Sequence, residues 1–309
     1  KVDGKLYQIP NYQMMTRNRW GIATPKALSD KYWDAANVQS ALYASETMTE
    51  DCYDIIETYL QKLKENGEIR LGVSTETMGR LAQKGYNEIG GCSVRRDDPE
   101  YKVVNTFELP EVKLFYEKMS DWYKKGYIRK DILTVDNPTQ DEAKENGYVL
   151  WVPAYFDNTA ESLTQQSGFD VEVIPQNEEY FFDGGSATGT AISAKSANPE
   201  RAMQVLELMN SEKGKELYNL LIYGIEGEHY KKESDNRITT LCYQGSPEAN
   251  SAYGQYKWVI GNTFNAYETQ SDTVGWNKYI KGINESAVQS PLAGFTSVLM
   301  SLWLIMVAT

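Results

Sequence analysis

The chain alternates between stretches with apolar residues every three to four positions and short apolar runs, and the alternation predicts helices packed on sheet. Cys52, Ile55, Ile56, Tyr59, Leu60 and Leu63 recur at helical spacing. Thr47 with Glu50 reads as a capping box ahead of them, and Asn66-Gly67 as their stop. A second helix is predicted from Pro110, with Val112, Phe115, Tyr116, Met119 and Trp122 on one face and Gly126 closing it. Thr24-Pro25 opens a further helix, since a proline in the first turn gives up no helical hydrogen bond. Thr139 to Glu142 is another capping box, for a helix ending at Gly147. Pro199 to Asn210 and Ser211 to Ile222 predict a helical hairpin whose apolar face is Ala202, Val205, Leu206, Met209, Leu217, Leu220 and Leu221. Strands are predicted at Lys5 to Pro10, Ile69 to Val73, Tyr101 to Leu109, Tyr148 to Val152, Phe169 to Pro175, Thr190 to Ser193 and Ile238 to Leu241. The fold class is therefore α/β.

The apolar run at Tyr148 to Val152 is broken by Pro153, and Tyr155, Phe156, Asp157 and Asn158 then read as a loop at the strand's carboxyl end. In open α/β sheets ligands bind at such ends. Two rings beside a carboxylate and an amide offer stacking faces with donors and acceptors, which matches the apolar faces and hydroxyl edges of a sugar. Ordinary core packing of the same rings is the alternative.

The order of segments resembles the extracellular solute-binding proteins of bacterial ABC importers, the maltose-binding type and its Gram-positive lipoprotein branch. The likeness rests on Asp3 to Pro10, Tyr148 to Asn158, Phe169 to Pro175, Gly184 to Gly189, Asn198 to Ala202, Glu207 to Gly214 and Tyr223 to Tyr230, and it covers roughly residues 1 to 295. It implies a two-lobed periplasmic-binding-protein-like (type II) fold with an incomplete first lobe. Residues 1–186 would form the main part of the second lobe, 187–242 part of the first lobe, and 243–309 the return to the second lobe with an atypical apolar tail. Gly184 to Gly189 would supply a flexible crossing.

The resemblance also places Tyr12, Gln13, Arg17 and Trp20 on a ligand cleft. Ser74 to Thr77, with Glu76, would be a ligand loop, and Trp258 and Asn262 would lie in a late cleft loop. For the first set a solvated strand edge is the rival reading, and for the last pair helix packing. The implied ligand is an oligosaccharide or similar polar solute, the implied partners are permease subunits of an ABC transporter, and the implied location is extracellular, as a cell-surface lipoprotein, or periplasmic. A lipid-bearing cysteine would lie upstream. The missing lobe segment and the bare hairpin face would make solute binding weak and association strong.

Composition narrows the classes further. A net charge of −12, from 43 acidic and 31 basic residues, opposes nucleic acid and anionic membrane as partners. The 22 tyrosines and seven tryptophans suit carbohydrate stacking as well as packing. Cys52, Cys92 and Cys242 are odd in number and widely spaced, so neither a disulfide framework nor a zinc site is indicated. His229 is the single histidine, within Glu226 to Tyr230, which reads as a solvated loop. No phosphate loop, dinucleotide fingerprint, nucleophile elbow or His-Glu-x-x-His motif is present. No cofactor or metal is expected. The apolar tail from Thr296 to Thr309 is too short for a usual membrane span, which needs about 20 apolar residues. Binding without catalysis is the leading reading. A hydrolase with paired carboxylates or a non-catalytic adhesin is the alternative.

Overall fold

A computed structural model describes residues 6–17, 20–75, 78–89, 91–134, 147–155, 159–182, 188–241, 257–270, 272–290 and 292–293, with the side chains of residues 17, 162, 165 and 166 excepted. In chain order the elements used below are β1 (Ile9–Pro10), β2 (Gly21–Pro25), α1 (Lys26–Tyr32), α2 (Ala35–Tyr43), α3 (Glu50–Glu65), β3 (Tyr86–Ile89), β4 (Cys92–Arg95) and β5 (Val103–Asn105). They continue with α4 (Pro110–Lys125), α5 (Thr159–Ser167), β6 (Val171–Pro175), β7 (Gly189–Thr190), α6 (Pro199–Asn210), α7 (Lys215–Tyr223), β8 (Tyr230–Ser234), β9 (Arg237–Thr240) and α8 (Trp276–Ser286). The chain divides into two compact units, one of Lys1–Thr16 with Phe182–Ala287 and one of Arg17–Phe181 with Val288–Thr309.

The division differs from the expected one. The hairpin α6–α7 does lie in a different unit from Val149 to Val152, but residues 6–16 and 257–287 join the hairpin. The cause is strand pairing: β1 pairs antiparallel with β7, and Tyr12 bridges Asn262 in parallel.

The larger unit is built on β2. One edge pairs antiparallel with β6, in the register Ile22↔Ile174. The other edge takes the extended stretch around Trp151, with Ala23 N donating to Trp151 O at 2.8 Å and Trp151 N returning to Ala23 O at 3.0 Å. Beyond it Val73 bridges Leu150 in parallel, so the expected strand at Tyr148 to Val152 is present as a run of bridges. Val149, Leu150 and Val152 are buried, as a run covered by helices requires. The expected strand at Ile69 to Val73 reduces to bridges at Gly72 and Val73.

Helix α3 covers this sheet with the predicted stripe, in which Cys52, Ile56, Tyr59, Leu60 and Leu63 are buried. Its cap is not the expected box: Thr49 accepts from Cys52 N and Glu50 is the first helical residue. Tyr59 reaches across the layer, its hydroxyl 2.6 Å from Thr24 Oγ1, while Thr24 donates to Val149 O at 2.8 Å. Helix α4 packs Trp122 edge-on to Tyr53, with centroids 6.2 Å apart, and Trp122 Nε1 donates to Glu57 Oε2 at 3.2 Å. Gly126 ends α4 in the left-handed conformation. A meander β3–β4–β5 completes the unit. The expected strand at Tyr101 to Leu109 is only β5, because Asn105 accepts from Phe107 N and turns the chain into a 3-10 helix at Thr106–Glu108.

In the smaller unit Met209 of α6 and Tyr218 and Ile222 of α7 share a core cluster with Ala266. Leu206 and Met209 are buried as expected, whereas Val205, Leu217, Leu220 and Leu221 are exposed. The hairpin β8–β9 carries Ile238 against Tyr230 and Tyr267. The strand expected at Thr190 to Ser193 is confined to β7.

Among the described residues no helix is long and apolar enough to cross a membrane, and no group of three or more acidic, histidine or cysteine residues is placed to hold a metal. Cys52 and Cys92 are free. The expected helix after Thr139, Gly184 to Ala187, Cys242 and the apolar tail lie outside the described residues.

Candidate functional site

Each unit carries one cluster of aromatic and polar side chains drawn from the expected site residues. In the smaller unit the chain from Asn11 to Tyr12 is laced between two segments. Asn11 N donates to Thr188 O at 3.1 Å, Tyr12 N donates to Gly261 O at 3.0 Å, and Thr263 N returns to Tyr12 O at 2.8 Å. Gly261 makes this possible, since its φ is +66° and an added Cβ would stand 2.6 Å from Met209 O. Tyr12 lies edge-on to Phe264, with centroids 5.0 Å apart.

Trp258, 37% exposed, is held at its carbonyl by two donors, Asn11 Nδ2 at 3.1 Å and the Thr188 hydroxyl at 2.9 Å. Lys257 reaches over the indole, 4.9 Å from its centroid, and pairs with Asp272 at 3.7 Å. Tyr218 donates to Lys257 O at 2.7 Å; burial pushes its phenol above the ordinary range, so it stays a neutral donor. Asn262 uses its side-chain oxygen to accept from Phe264 N at 3.0 Å. Gln13, only 6% exposed, donates to the Thr188 hydroxyl at 3.2 Å, and its carbonyl accepts from Asn284. Tyr12, Gln13, Trp258 and Asn262 therefore come together. Trp258 is partly exposed with Lys257 over its ring, whereas Gln13 is a member of the supporting network.

In the larger unit Trp20 and Tyr155 sit at one end of the β2 sheet. Trp20 bridges Ala154, and Gly21 N donates to Pro153 O at 3.0 Å. The Tyr155 ring lies over Gly21, where an added Cβ would meet Tyr155 Cδ2 at 3.1 Å and Val173 Cγ1 at 2.7 Å. Tyr155 and Trp20 are both partly buried. The guanidinium of Arg80 stands 5.0 Å from the Trp20 ring centre. Gln176 fixes this arrangement twice, its N donating to Trp20 O at 2.7 Å and its Nε2 to Leu81 O at 3.0 Å. Glu76, Phe156, Asp157 and Asn158 lie outside the described residues, as does the Arg17 side chain.

Sequence reasoning missed Asn11, Thr188, Arg80 and Gln176. Polar residues flanking the predicted strands were a signal for Asn11 and Gln176, but their partners lie far off in sequence, 177 positions for Asn11 and Thr188. His229 is structural: its Nδ1 accepts from Ile225 N at 2.9 Å.

No family model matches the chain. A carbohydrate ABC transporter substrate-binding protein of Streptococcus pneumoniae serotype 4 (strain ATCC BAA-334 / TIGR4) is 30% identical over 203 residues, which are 63% of this chain and 39% of that protein. The crystal structure of the N-glycan transport solute binding protein NgtS from Streptococcus pneumoniae superposes with a TM-score of 0.69 at 21% identity, covering 96% of this chain and 62% of that one. An HMO-binding, ABC-transporter-associated solute-binding protein from Bifidobacterium longum infantis ATCC 15697 gives a TM-score of 0.53 at 16% identity, covering 93% and 61%. The chain spans well under half the length of the curated relative and less than two thirds of these solved structures. It has the fold of the two-lobed solute-binding proteins and is related in sequence to a carbohydrate ABC transporter substrate-binding protein.

Proposed function

We propose that this chain is the solute-capturing part of an extracellular or periplasmic receptor of an ABC importer, and that its solute is an oligosaccharide. The observation that carries the reading is the 30% identity over 203 residues with a carbohydrate ABC transporter substrate-binding protein. The chemistry of the clusters supports it. Each unit presents a partly exposed tryptophan, and in the larger unit the Arg80 guanidinium stands beside it; aromatic rings stack on pyranose faces and a guanidinium bridges adjacent hydroxyls. The net charge of −12 disfavours an anionic solute.

The binding residues are Tyr12, Trp20, Tyr155, Trp258 and Asn262, with Gln13 holding Thr188. Arg17, Glu76, Phe156, Asp157 and Asn158 belong to the same proposal on the grounds of the resemblance. The role is capture and delivery to permease subunits, without turnover, and lipid anchoring at a Gram-positive cell surface is part of the reading.

NgtS has been crystallised with Man1GlcNAc and with Man5GlcNAc, and a Streptococcus pneumoniae protein of the same fold, FusA, with kestose. Isothermal titration of this chain with Man5GlcNAc, Man1GlcNAc and kestose, with chromatography of the recovered sugar, tests the proposal. Saturable binding of at least one, with the sugar recovered intact, is expected. Cleaved sugar would assign a hydrolase, and no binding of any would remove the carbohydrate reading.

A further inference from the structure

We propose that Arg80 reads adjacent hydroxyl oxygens of the bound sugar from a guanidinium held on Trp20, and that Gln176 is the positioning residue that keeps it there. The inference rests on the oligosaccharide reading above and adds to it a specificity residue.

Three observations carry it. First, Arg80 is exposed, in a chain with an excess of carboxylates, yet among the described residues no carboxylate pairs with it; its Nη1 donates to Gln83 Oε1 at 3.2 Å. Most of the five guanidinium donors are thus left for another acceptor. Second, the guanidinium is placed rather than free. It stands 5.0 Å from the Trp20 ring centre, and a planar cation over an aromatic face loses much of its rotational freedom. Third, the backbone at Trp20 and the turn that carries Arg80 are both tied to one buried residue. Gln176, 1% exposed, holds Trp20 through its backbone N and the 3-10 helix Met78–Gln83 through Leu81 O. Met78, Leu81 and Ala82 anchor that helix in the core, so its one-sided burial leaves Gly79 and Arg80 outward.

The fork of N–H groups matches two neighbouring equatorial oxygens on a sugar ring, as it matches the two oxygens of a carboxylate. The chain's acidity favours the uncharged ligand. Lysine at this position would keep the charge and lose the fork.

The test is titration calorimetry of the wild type, Arg80→Ala and Arg80→Lys with Man5GlcNAc as the neutral probe and 3′-sialyllactose as the anionic one, together with thermal melts of each protein. Arg80→Ala is expected to weaken Man5GlcNAc binding about tenfold or more with an unchanged melt, and Arg80→Lys to restore little of it. Equal affinity of Arg80→Ala and wild type would overturn the inference while leaving the function intact. Full rescue by lysine would overturn the fork. An Arg80-dependent preference for 3′-sialyllactose would show that the group read is a carboxylate. A wild type that binds neither probe, nor kestose, would remove the functional reading and this inference together.

Discussion

Gly261 stands at φ +66° with Met209 O where a side chain would begin, and the hydrogen bonds that bring Tyr12, Asn262 and Thr263 together start from its backbone and its neighbour's. Gly261→Ala combines a left-handed strain with a clash against a carbonyl. It is expected to cost about 1–3 kcal/mol, read as a lower urea midpoint. An unchanged midpoint would mean that this turn does not fix the cluster. At the same scale the limits of the sequence are plain. Tyr155 stands out in the sequence as an aromatic beyond a strand end, and Trp20 and Trp258 through the resemblance. Arg80 does not, because nothing near it in the chain specifies Trp20; only folding of β2 beside the 3-10 helix brings the two together. Thr188 was likewise unremarkable in sequence, yet its hydroxyl receives from Asn11 and Gln13 and donates to Trp258 O.

The helices were legible because a helix buried on one side must repeat its apolar residues every turn, and α3 and α4 do so over 16 residues each. The cap of α3 fell two residues later than expected, at Thr49, and Thr49→Ala is expected to lower stability by about 1 kcal/mol in urea unfolding. Loss of the same amount in Thr47→Ala, with Thr49→Ala silent, would contradict the placement. Helix α7 buries a different face from the one its leucines predict. Its leucines suggested Leu217, Leu220 and Leu221 inward, but the buried residues are Tyr218, Asn219 and Ile222. The amide decides the rotation: Asn219 Nδ2 donates to Lys215 O and Asn265 O, both at 2.8 Å, and its Oδ1 accepts from Tyr267 N at 2.8 Å. A buried amide satisfied on both sides outweighs a partly covered leucine. Asn219→Leu is accordingly expected to destabilise by at least about 1–3 kcal/mol although it adds apolar surface, and a stabilised variant would refute this account of the helix.

Across the whole molecule burial acts on the tyrosines of both units. It pushes Tyr53, Tyr59, Tyr218 and Tyr223 well above the ordinary value of 10.0, and burial with the Glu111 carboxylate pushes Tyr86 up to about 12. A phenol whose pKa is raised in the folded state stays neutral there while the unfolded chain ionises. This stability is therefore complete below about pH 10 and is lost as pH rises from there toward the folded values. Urea unfolding between about pH 9 and pH 11 is expected to show the loss, and a flat profile would argue that these hydroxyls are not desolvated. The division into two units was only partly legible, because the short pairings that assign Lys1–Thr16 to the hairpin's unit are two residues long and carry no periodicity.

The proposed activity is capture of a neutral oligosaccharide at a cluster built around a tryptophan. Its most direct test is titration of the intact chain with Man5GlcNAc, Man1GlcNAc and kestose, in the wild type, Trp258→Ala and Trp20→Phe, followed by calorimetry. Saturable binding of one sugar is predicted, weakened several-fold to about tenfold by at least one of the substitutions, with the sugar recovered unchanged. Binding that is indifferent to both substitutions, or absent for all three sugars, would contradict the account.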